Sequence, residues 1–194
     1  MPQESRDLEA GTVIGNDKRK LVLRLFRHAL DNEIFYDPTQ FANVNLDPTR
    51  RQGFEIEANA QLRAGFALSA AWQSVVADFT GGPNAGREMI LVPRNTASIR
   101  LNWNPAGPHS ATVGARWVDR QRYGDDFSNA CANRIPAYTV IDARYAWRSG
   151  PWEIAATGTN LGNRSYFSNA FNCVTGSVYP EAGRQLRVSV RREF

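Results

Sequence analysis

The chain has 194 residues, 42% of them hydrophobic, and carries a formal net charge of +4; this length fits one large β domain or one and a half average domains. The mean hydropathy is −0.44, and no stretch reaches the roughly 18 consecutive apolar residues that a membrane-crossing helix needs. Arginines are spread along the sequence with no basic run beyond Lys18–Lys20, which argues against a nucleic-acid partner because a phosphate-binding surface needs clustered cations.

The first segments alternate apolar and polar residues, as strands with one buried face do. The alternation predicts a strand over about 5–14, a turn at Gly15–Asp17 and a second strand from Leu21. An extension of that strand through Ile34–Tyr36 is one interpretation of the residues that follow. Proline-containing steps then predict a long loop over about 37–50.

The clearest alternation lies over Phe54–Leu62, where one parity is apolar and the other is entirely polar. A tight turn at 63–65 leads to the alanine-rich segment Phe66–Trp72. An amphipathic helix competes with a strand there, and the alternation that continues from its neighbour favours the strand. The same pattern predicts the remaining strands over about 97–103, 111–118, 139–148, 152–159 and 185–194, separated by turns at 104–108 and 149–151 and by long loops at 80–93, 121–136 and 162–182.

These nine predicted strands are joined alternately by short turns and long loops. An antiparallel up-and-down meander that sorts its connections in this way is typical of a bacterial outer-membrane barrel, whose loops and turns lie at opposite ends. Trp103, Trp147 and Trp152 flank short turns. Trp117 lies about nine residues further along its strand, a distance that roughly spans the membrane. We therefore predict an aromatic girdle at each membrane interface; the alternative is scattered core tryptophans.

The last segment has apolar residues on one parity and polar residues on the other. Leu186, Val188, Val190 and Phe194 form the apolar set. A strand of this kind suits a wall between lipid and water, and it also suits the edge of a soluble sandwich. Charged residues on the polar parity of this and other strands predict a wet or protein-filled lumen, because charges are costly in lipid; they are Glu55, Glu57, Arg100, Arg116, Asp142, Arg144, Arg187 and Arg191.

Four segments together carry a family resemblance. They are Arg51–Glu57, Val92–Ala97, Asn160–Tyr166, and Tyr179–Arg184 followed by the terminal strand. In this order they resemble the C-terminal part of TonB-dependent outer-membrane receptors. The sequence departs from the family at Gly162, where an aromatic residue is usual, and at Arg192, where tyrosine is frequent.

The resemblance implies that residues 1–194 are the C-terminal portion of a 22-stranded transmembrane β-barrel, without the plug domain and the N-terminal strands. It implies a bacterial outer-membrane active-transport receptor for a large scarce nutrient, of the ferric siderophore or cobalamin type, energised through TonB. The expected partners are outer-membrane lipid, the metal chelate, TonB through the missing part, and the barrel-assembly machinery, which would read Leu186, Val188, Val190 and Phe194. We expect a fragment that does not transport alone and a chain that, lacking a signal peptide, is not a complete precursor.

Cys131 and Cys173 fit no metal spacing and fall in the last two long loops, which the family places outside the cell. A disulfide between them is predicted, since that side is oxidising; two free thiols are the alternative. The loop aromatic residues either touch ligand or pack within the loops; they are Phe35, Tyr36, Tyr123, Phe127, Tyr166, Phe167 and Phe171.

Other function classes stay open at this stage. A passive porin-like channel shares every alternation feature and needs no plug. A soluble β-sandwich binding module is the third class. An enzyme is not expected, because His28 and His109 have no nucleophile or carboxylate at a catalytic spacing. No cofactor is expected, and no ligand-binding residue is assigned.

Overall fold

The computed structural model describes residues 1–37 and 40–193, and these residues form thirteen β-strands. No helix among them is long and apolar enough to cross a membrane. The strands are β1 (Glu4–Asn16), β2 (Arg19–Asp31), β3 (Ile34–Asp37), β4 (Ala42–Asn45), β5 (Thr49–Gln61), β6 (Phe66–Phe79), β7 (Asn95–Trp103), β8 (His109–Val118), β9 (Tyr138–Ser149), β10 (Trp152–Thr159), β11 (Phe167–Phe171), β12 (Ser177–Pro180) and β13 (Gln185–Arg192).

Nine of these strands form a single antiparallel sheet, which we call the wall. Its order is β1-β2-β5-β6-β7-β8-β9-β10-β13. Each wall strand therefore pairs with the next wall strand along the chain, as in an up-and-down meander. The predicted all-β fold with nine meander strands is confirmed, and the total of 22 strands stays a prediction.

The two ends of the wall differ in their connections. The turn end carries the short links at 17–18, 62–65, 104–108 and 150–151, and the loop end carries the long ones at 32–48, 80–94, 119–137 and 160–184. Glycine makes the first link possible: Gly15 has φ 113°, and a Cβ there would collide with the Arg19 carbonyl. Strand β13 finishes at the turn end, where Arg192 pairs with Trp152.

One sequence interpretation is wrong, one is confirmed over its alternative, and the last loop holds a hairpin that was not predicted. Strand β2 does not continue through Ile34–Tyr36; it ends at Asp31, and Ile34–Asp37 pairs instead with Ala42–Asn45 as a separate hairpin. The chain turns between them at Asn32, which has φ 56°, a conformation that asparagine tolerates. The helix alternative for Phe66–Trp72 is excluded, because β6 pairs on both sides. The last loop also holds a hairpin of its own, β11–β12.

The register keeps the two faces separate across the wall. Ile56 pairs with Trp72, Trp72 with Ala97, and Ala97 with Trp117, so side chains of the apolar parity lie side by side. A slip of one residue in any pair would mix apolar and polar side chains on one face. We call the two sides the apolar face and the polar face.

The apolar clusters of the buried core lie at the loop end, where the ends of wall strands meet the loops. The largest fully buried side chains are those of Phe79, Ile135 and Thr49. Wall residues of the apolar face stay exposed in the chain by itself; Ile99 at mid-strand has 51% of its surface accessible. Because exposed aliphatic surface of this extent is unfavourable in water, the apolar face requires a covering that is not part of the described residues.

Candidate functional site at the loop end and the polar face

The polar face of β1, β2, β5 and β6 carries a connected charge network. Arg24 contacts the Glu55 carboxylate and lies 3.4 Å from Glu9 Oε2. Glu9 Oε1 is 3.1 Å from His28 Nε2, and Gln73 Nε2 donates to Glu55 Oε1 at 2.7 Å. These contacts bridge four strands, so neighbouring acids and bases satisfy one another on this face.

The other half of the polar face is richer in arginine. Arg144 and Arg148 both hold Glu153, at 2.6 and 2.7 Å. The Arg116 guanidinium lies 5.6 Å from the centre of the Tyr138 ring, within range of a cation–π contact. A groove of about 760 Å³ runs over this face and is lined mainly by polar side chains, including Arg100 and Asp142. This surface suits water or a polar protein segment and does not suit lipid.

The loops of the loop end pack into two apolar clusters. The first joins Leu46, Phe79 and Met89, with Phe127 packed against it, and so brings three loops together. The second joins Tyr123, Ile135 and Ala170, with Cys173 against it. Loops with apolar cores of this kind keep a fixed conformation, because the burial of apolar area offsets the conformational entropy lost when the loops are ordered.

An ion-pair network centred on Glu88 lies between the loops at 80–94 and 119–137. Arg134 donates to Glu88 at 2.6 Å, and Arg122 donates to Glu88 at 3.1 Å and to the buried Asp126 at 2.7 Å. The Glu88 backbone N–H also donates to Asn129 Oδ1 at 2.7 Å. The hydrogen bond from Arg134 holds the pKa of the Glu88 carboxyl below its usual range, and Glu88 in turn raises the pKa of Arg134.

The last two loops are joined covalently and by hydrogen bonds. Cys131 and Cys173 form a disulfide with Cα atoms 6.1 Å apart, within the normal range for such bonds. The Gly124 N–H donates to the Ala170 carbonyl at 2.8 Å, and Gln121 Nε2 donates to the Ser168 carbonyl at 2.6 Å. These bonds run in parallel, so the two loops form a single unit.

Asn160 connects the end of β10 to both arms of the last loop. Its carboxamide accepts from the Arg164 N–H at 2.8 Å and donates to the carbonyls of Arg164, at 2.8 Å, and Ala182, at 3.1 Å. Its own N–H donates to Asp142 Oδ1 at 2.8 Å. The side chain is 3% exposed and the backbone has φ 47°, a conformation that asparagine adopts more readily than most residues. Asn160 thus positions the segment that returns to β13.

Among the residues that the structure describes, no group of three His, Cys, Asp or Glu side chains is placed to hold a metal ion. Both cysteines are used in the disulfide. The structure thus has a wall with one apolar face and one polar face, a polar groove, and loops that are joined by a disulfide and hydrogen bonds.

Comparison with known proteins decides what this arrangement belongs to. Residues 1–161 match the family model described as TonB dependent receptor-like, beta-barrel. The chain belongs to the TonB-dependent receptor-like β-barrel family. Its place is the bacterial outer membrane, as in the other members of this family that it matches.

Two curated relatives match the chain along its whole length. The metal-pseudopaline receptor CntO of Pseudomonas aeruginosa is 28% identical over 207 residues, and the ferrichrome outer membrane transporter/phage receptor of Escherichia coli K12 is 24% identical over 206 residues. The chain covers 28% and 27% of those proteins. It therefore spans less than a third of the length of the relatives it matches.

Solved structures show the same fold. The ferric yersiniabactin uptake receptor FyuA from Yersinia pestis superposes with a TM-score of 0.83 at 20% identity, over 99% of this chain and 30% of that one. The ferric citrate transporter FecA in its unliganded form superposes with a TM-score of 0.81 at 20% identity, over 100% and 32%. The wall and the loop end are thus the architecture of TonB-dependent receptors.

The segments that carried the family resemblance have identifiable places in this receptor fold. Arg51–Glu57 lies within β5, and Val92–Ala97 leads from a loop into β7. Asn160–Tyr166 contains the asparagine that ties the last loop, and the Tyr166 ring packs against Tyr138 with ring centres 4.3 Å apart and a tilt of 32° between the rings. Burial raises the pKa of the Tyr166 phenol. Gly162, one of the two departures from the family, has open space where a side chain would project.

The four tryptophans predicted as a girdle all project from the apolar face. Trp103, Trp147 and Trp152 lie near the turn end, and Trp117 lies near the loop end beside Thr139. The structure adds Trp72, which flanks Ala97 on the side opposite Trp117 and is 43% exposed. The sequence already places Trp72 on the apolar parity of β6. Its level along the wall relative to Trp117 could not be predicted, because this level depends on the register between β6 and β7.

The residues predicted as an assembly signal line the free edge strand β13. Leu186, Val188 and Val190 pair with Gly158, Ala156 and Ile154, and they are 61% to 76% exposed. Phe194 lies outside the residues that the structure describes. Whether these residues are read by the barrel-assembly machinery stays a prediction.

Most of the loop aromatic residues pack against one another and do not face outward. Phe35 contacts Phe127 and Phe171 contacts Tyr179, each edge to face. Tyr123 is buried in a cluster against which Phe167 packs. Tyr36 differs, because it is 53% exposed within β3, where it pairs with Asn43. Sequence reasoning missed the Glu88 network, whose partners are brought together only by the folded loops.

Proposed function

We propose that this chain is a wall segment of an outer-membrane receptor that binds and takes up a metal chelate, energised through TonB. The loop end faces the outside and takes part in binding, and the apolar face contacts outer-membrane lipid. The observation that carries the proposal is the division of one sheet into an apolar face and a charged face, closed at one end by loops that are stapled together. An arrangement of this kind serves binding and gated passage, and no covalent step is assigned to it.

The relatives support the choice of ligand class. Their names concern metal-pseudopaline and ferrichrome, and the superposed structures concern ferric yersiniabactin and ferric citrate. All four are metal complexes or chelators, so a metal chelate is favoured over cobalamin. The charged polar face gives such a ligand, or a protein segment that fills the lumen, a polar surface to pass along.

We further propose that the wall is the C-terminal portion of a larger closed barrel. Strands β1 and β13 each pair on one side within the nine-stranded sheet. In lipid, the unpaired backbone groups at such edges would be costly, so further strands must pair with both. The chain covers less than a third of the length of its relatives. This coverage is consistent with a receptor in which other segments supply the remaining strands and the plug.

Uptake experiments test the proposed ligand class and the proposed energy coupling. Cells that lack the gene containing this sequence are supplied with radiolabelled ferric hydroxamate, ferric citrate or cobalamin, with and without a protonophore. We expect loss of energy-dependent uptake for one metal chelate and recovery on complementation with the intact gene. Unchanged uptake of every metal chelate, with loss of cobalamin uptake, would refute the ligand class; uptake that continues with the protonophore would refute energised transport.

A further inference from the structure

The apolar face contains a depression of about 700 Å³ over β6–β10 and β13. Its middle strands contribute small side chains, Ala111, Ala143 and Ala156. Larger side chains border the depression on both sides. They are Phe66, Leu101 and Trp103 on one side, and Leu161, Leu186 and Val188 on the other. We call this depression the apolar groove; its volume lies within the range of about 300–1,000 Å³ that is common for small-molecule sites.

Glycine keeps the groove open next to β13. A Cβ atom at Gly158 would lie 2.5 Å from Leu161 Cδ2 and 3.2 Å from Leu186 Cδ2. The backbone of Gly158 has no positive φ that would itself require glycine. The absence of a side chain therefore serves packing, since any larger residue would displace both leucines.

Polar groups border the groove toward the turn end. Tyr145 lines the groove, and its hydroxyl forms a 2.6 Å hydrogen bond with His109 Nδ1. Arg192 shares the parity of Val188 and Val190, so it projects from the apolar face. Its guanidinium lies 5.4 Å from the centre of the Trp152 ring. A cation at the end of an apolar strand face is placed where the hydrocarbon meets the headgroups.

We propose that the apolar groove seats an acyl chain of a phospholipid from the leaflet at the turn end, with its phosphate beside Arg192. A tail needs an elongated apolar surface, and its phosphate needs a cation or a hydrogen-bond donor at one end; the groove and its border supply both. The inference rests on the proposed function in one respect, because it takes the apolar face as the lipid-facing side.

Photochemical labelling of the receptor tests the site. The receptor containing this chain is reconstituted into phosphatidylethanolamine–phosphatidylglycerol vesicles that carry a phospholipid with a diazirine on its acyl chain, and labelled residues are mapped by mass spectrometry. We expect labelling of β8–β10 and β13 to exceed that of β1, β2 and β5 by at least about fourfold. This is the factor by which burying one additional methylene group of the lipid would raise the occupancy of the groove. Substitution Ala156→Phe fills the groove and is expected to remove this excess.

A matched variant and a matched lipid complete the design. Ala58→Phe adds the same ring to the apolar face on β5, between Leu21 and Ala70 and away from the groove, and should leave the excess unchanged. If Ala156→Phe does not fold, as judged by heat modifiability on gels, Ala143→Leu takes its place. A diacylglycerol with the same diazirine but no phosphate should label the groove several-fold less, and Arg192→Gln should remove that difference.

Each outcome has a separate meaning. Even labelling over the whole apolar face, or an excess that survives the filled groove, overturns the lipid site while keeping the lipid-facing wall. No labelling of the apolar face would overturn the proposed wall as well. Equal labelling by both lipids overturns the role of Arg192. Protein–protein crosslinks across the groove would assign it to a second copy of the chain and also overturn the lipid site.

Discussion

Removing the disulfide between Cys131 and Cys173 tests how the loop end is held. The wall already fixes the distance between Tyr138 and Thr159, because β9 and β10 are neighbouring strands. When the loops open and the wall stays intact, about 21 flexible residues remain in the cycle that the disulfide closes, and the chain-entropy relation gives about 3 kcal/mol for closing it. Substitution Cys131→Ser should therefore make local opening of the two loops easier by up to this amount.

Hydrogen exchange measured by mass spectrometry provides the assay. About 3 kcal/mol corresponds to roughly 100-fold faster exchange through local opening, and this is an upper limit because the hydrogen bonds at Gly124 and Gln121 remain. We expect about 10- to 100-fold faster exchange in the loops at 119–137 and 160–184, and unchanged exchange in β1 and β2. The double variant that also carries Cys173→Ser controls for an unpaired thiol and should match the single variant.

Two results would refute this reasoning. Loop exchange at the wild-type rate would mean that the apolar cluster and the hydrogen bonds hold the loops without the disulfide. Equally faster exchange throughout the wall would mean that the disulfide stabilises the whole sheet and not the loop end.

Three further predictions concern other parts of the molecule. Because Arg134 holds the pKa of Glu88 below the ordinary value of 4.5, the ion pair stabilises the loops at neutral pH and loses its effect only as the pH falls below 4.5. Local opening of the 80–94 loop, taken from hydrogen exchange corrected for the intrinsic exchange rate at each pH, should become easier over that acidic range, and Glu88→Gln should reduce this pH dependence. Asn160→Ala should lower the free energy of unfolding in denaturant by about 2–4 kcal/mol, because buried backbone groups lose their partners, and a loss below 0.5 kcal/mol would contradict the role assigned to Asn160. Ile99→Arg on the apolar face should destabilise the protein in lipid by about 2–4 kcal/mol, whereas Ala71→Arg on the polar face, beside Glu57, should cost clearly less; equal losses would contradict the assignment of the faces.

Prediction from sequence succeeded where a local pattern carries the information. The alternation along Phe54–Leu62 reports which side chains share a face, because the geometry of a strand imposes a period of two. The sorting of short turns from long loops depends only on where the alternation stops. Both signals are strictly local, and both correspond to the wall as it is built.

Prediction failed or was silent where distant segments meet. The extension of β2 through Ile34–Tyr36 was wrong because a hairpin with Ala42–Asn45 satisfies the backbone of that segment, and its partner strand is not visible from its own residues. Glu88 and Arg134 are 46 positions apart, and neither has an unusual neighbourhood in the sequence. The apolar groove depends on the side-by-side placement of small residues from different strands, which only the register provides.

The sequence by itself determined the two faces of this protein, its nine wall strands and its membership of a receptor family. A period of two and a sorted set of connections leave few other architectures open. Tertiary structure alone decided how the loops pack and form ion pairs with one another, where Trp72 lies relative to Trp117, and that small residues of neighbouring strands join into a groove. The physical reason is that hydrogen-bonded pairing between strands carries a local pattern across the sheet, whereas contacts between loops depend on the shape of each whole loop and not on any repeating unit.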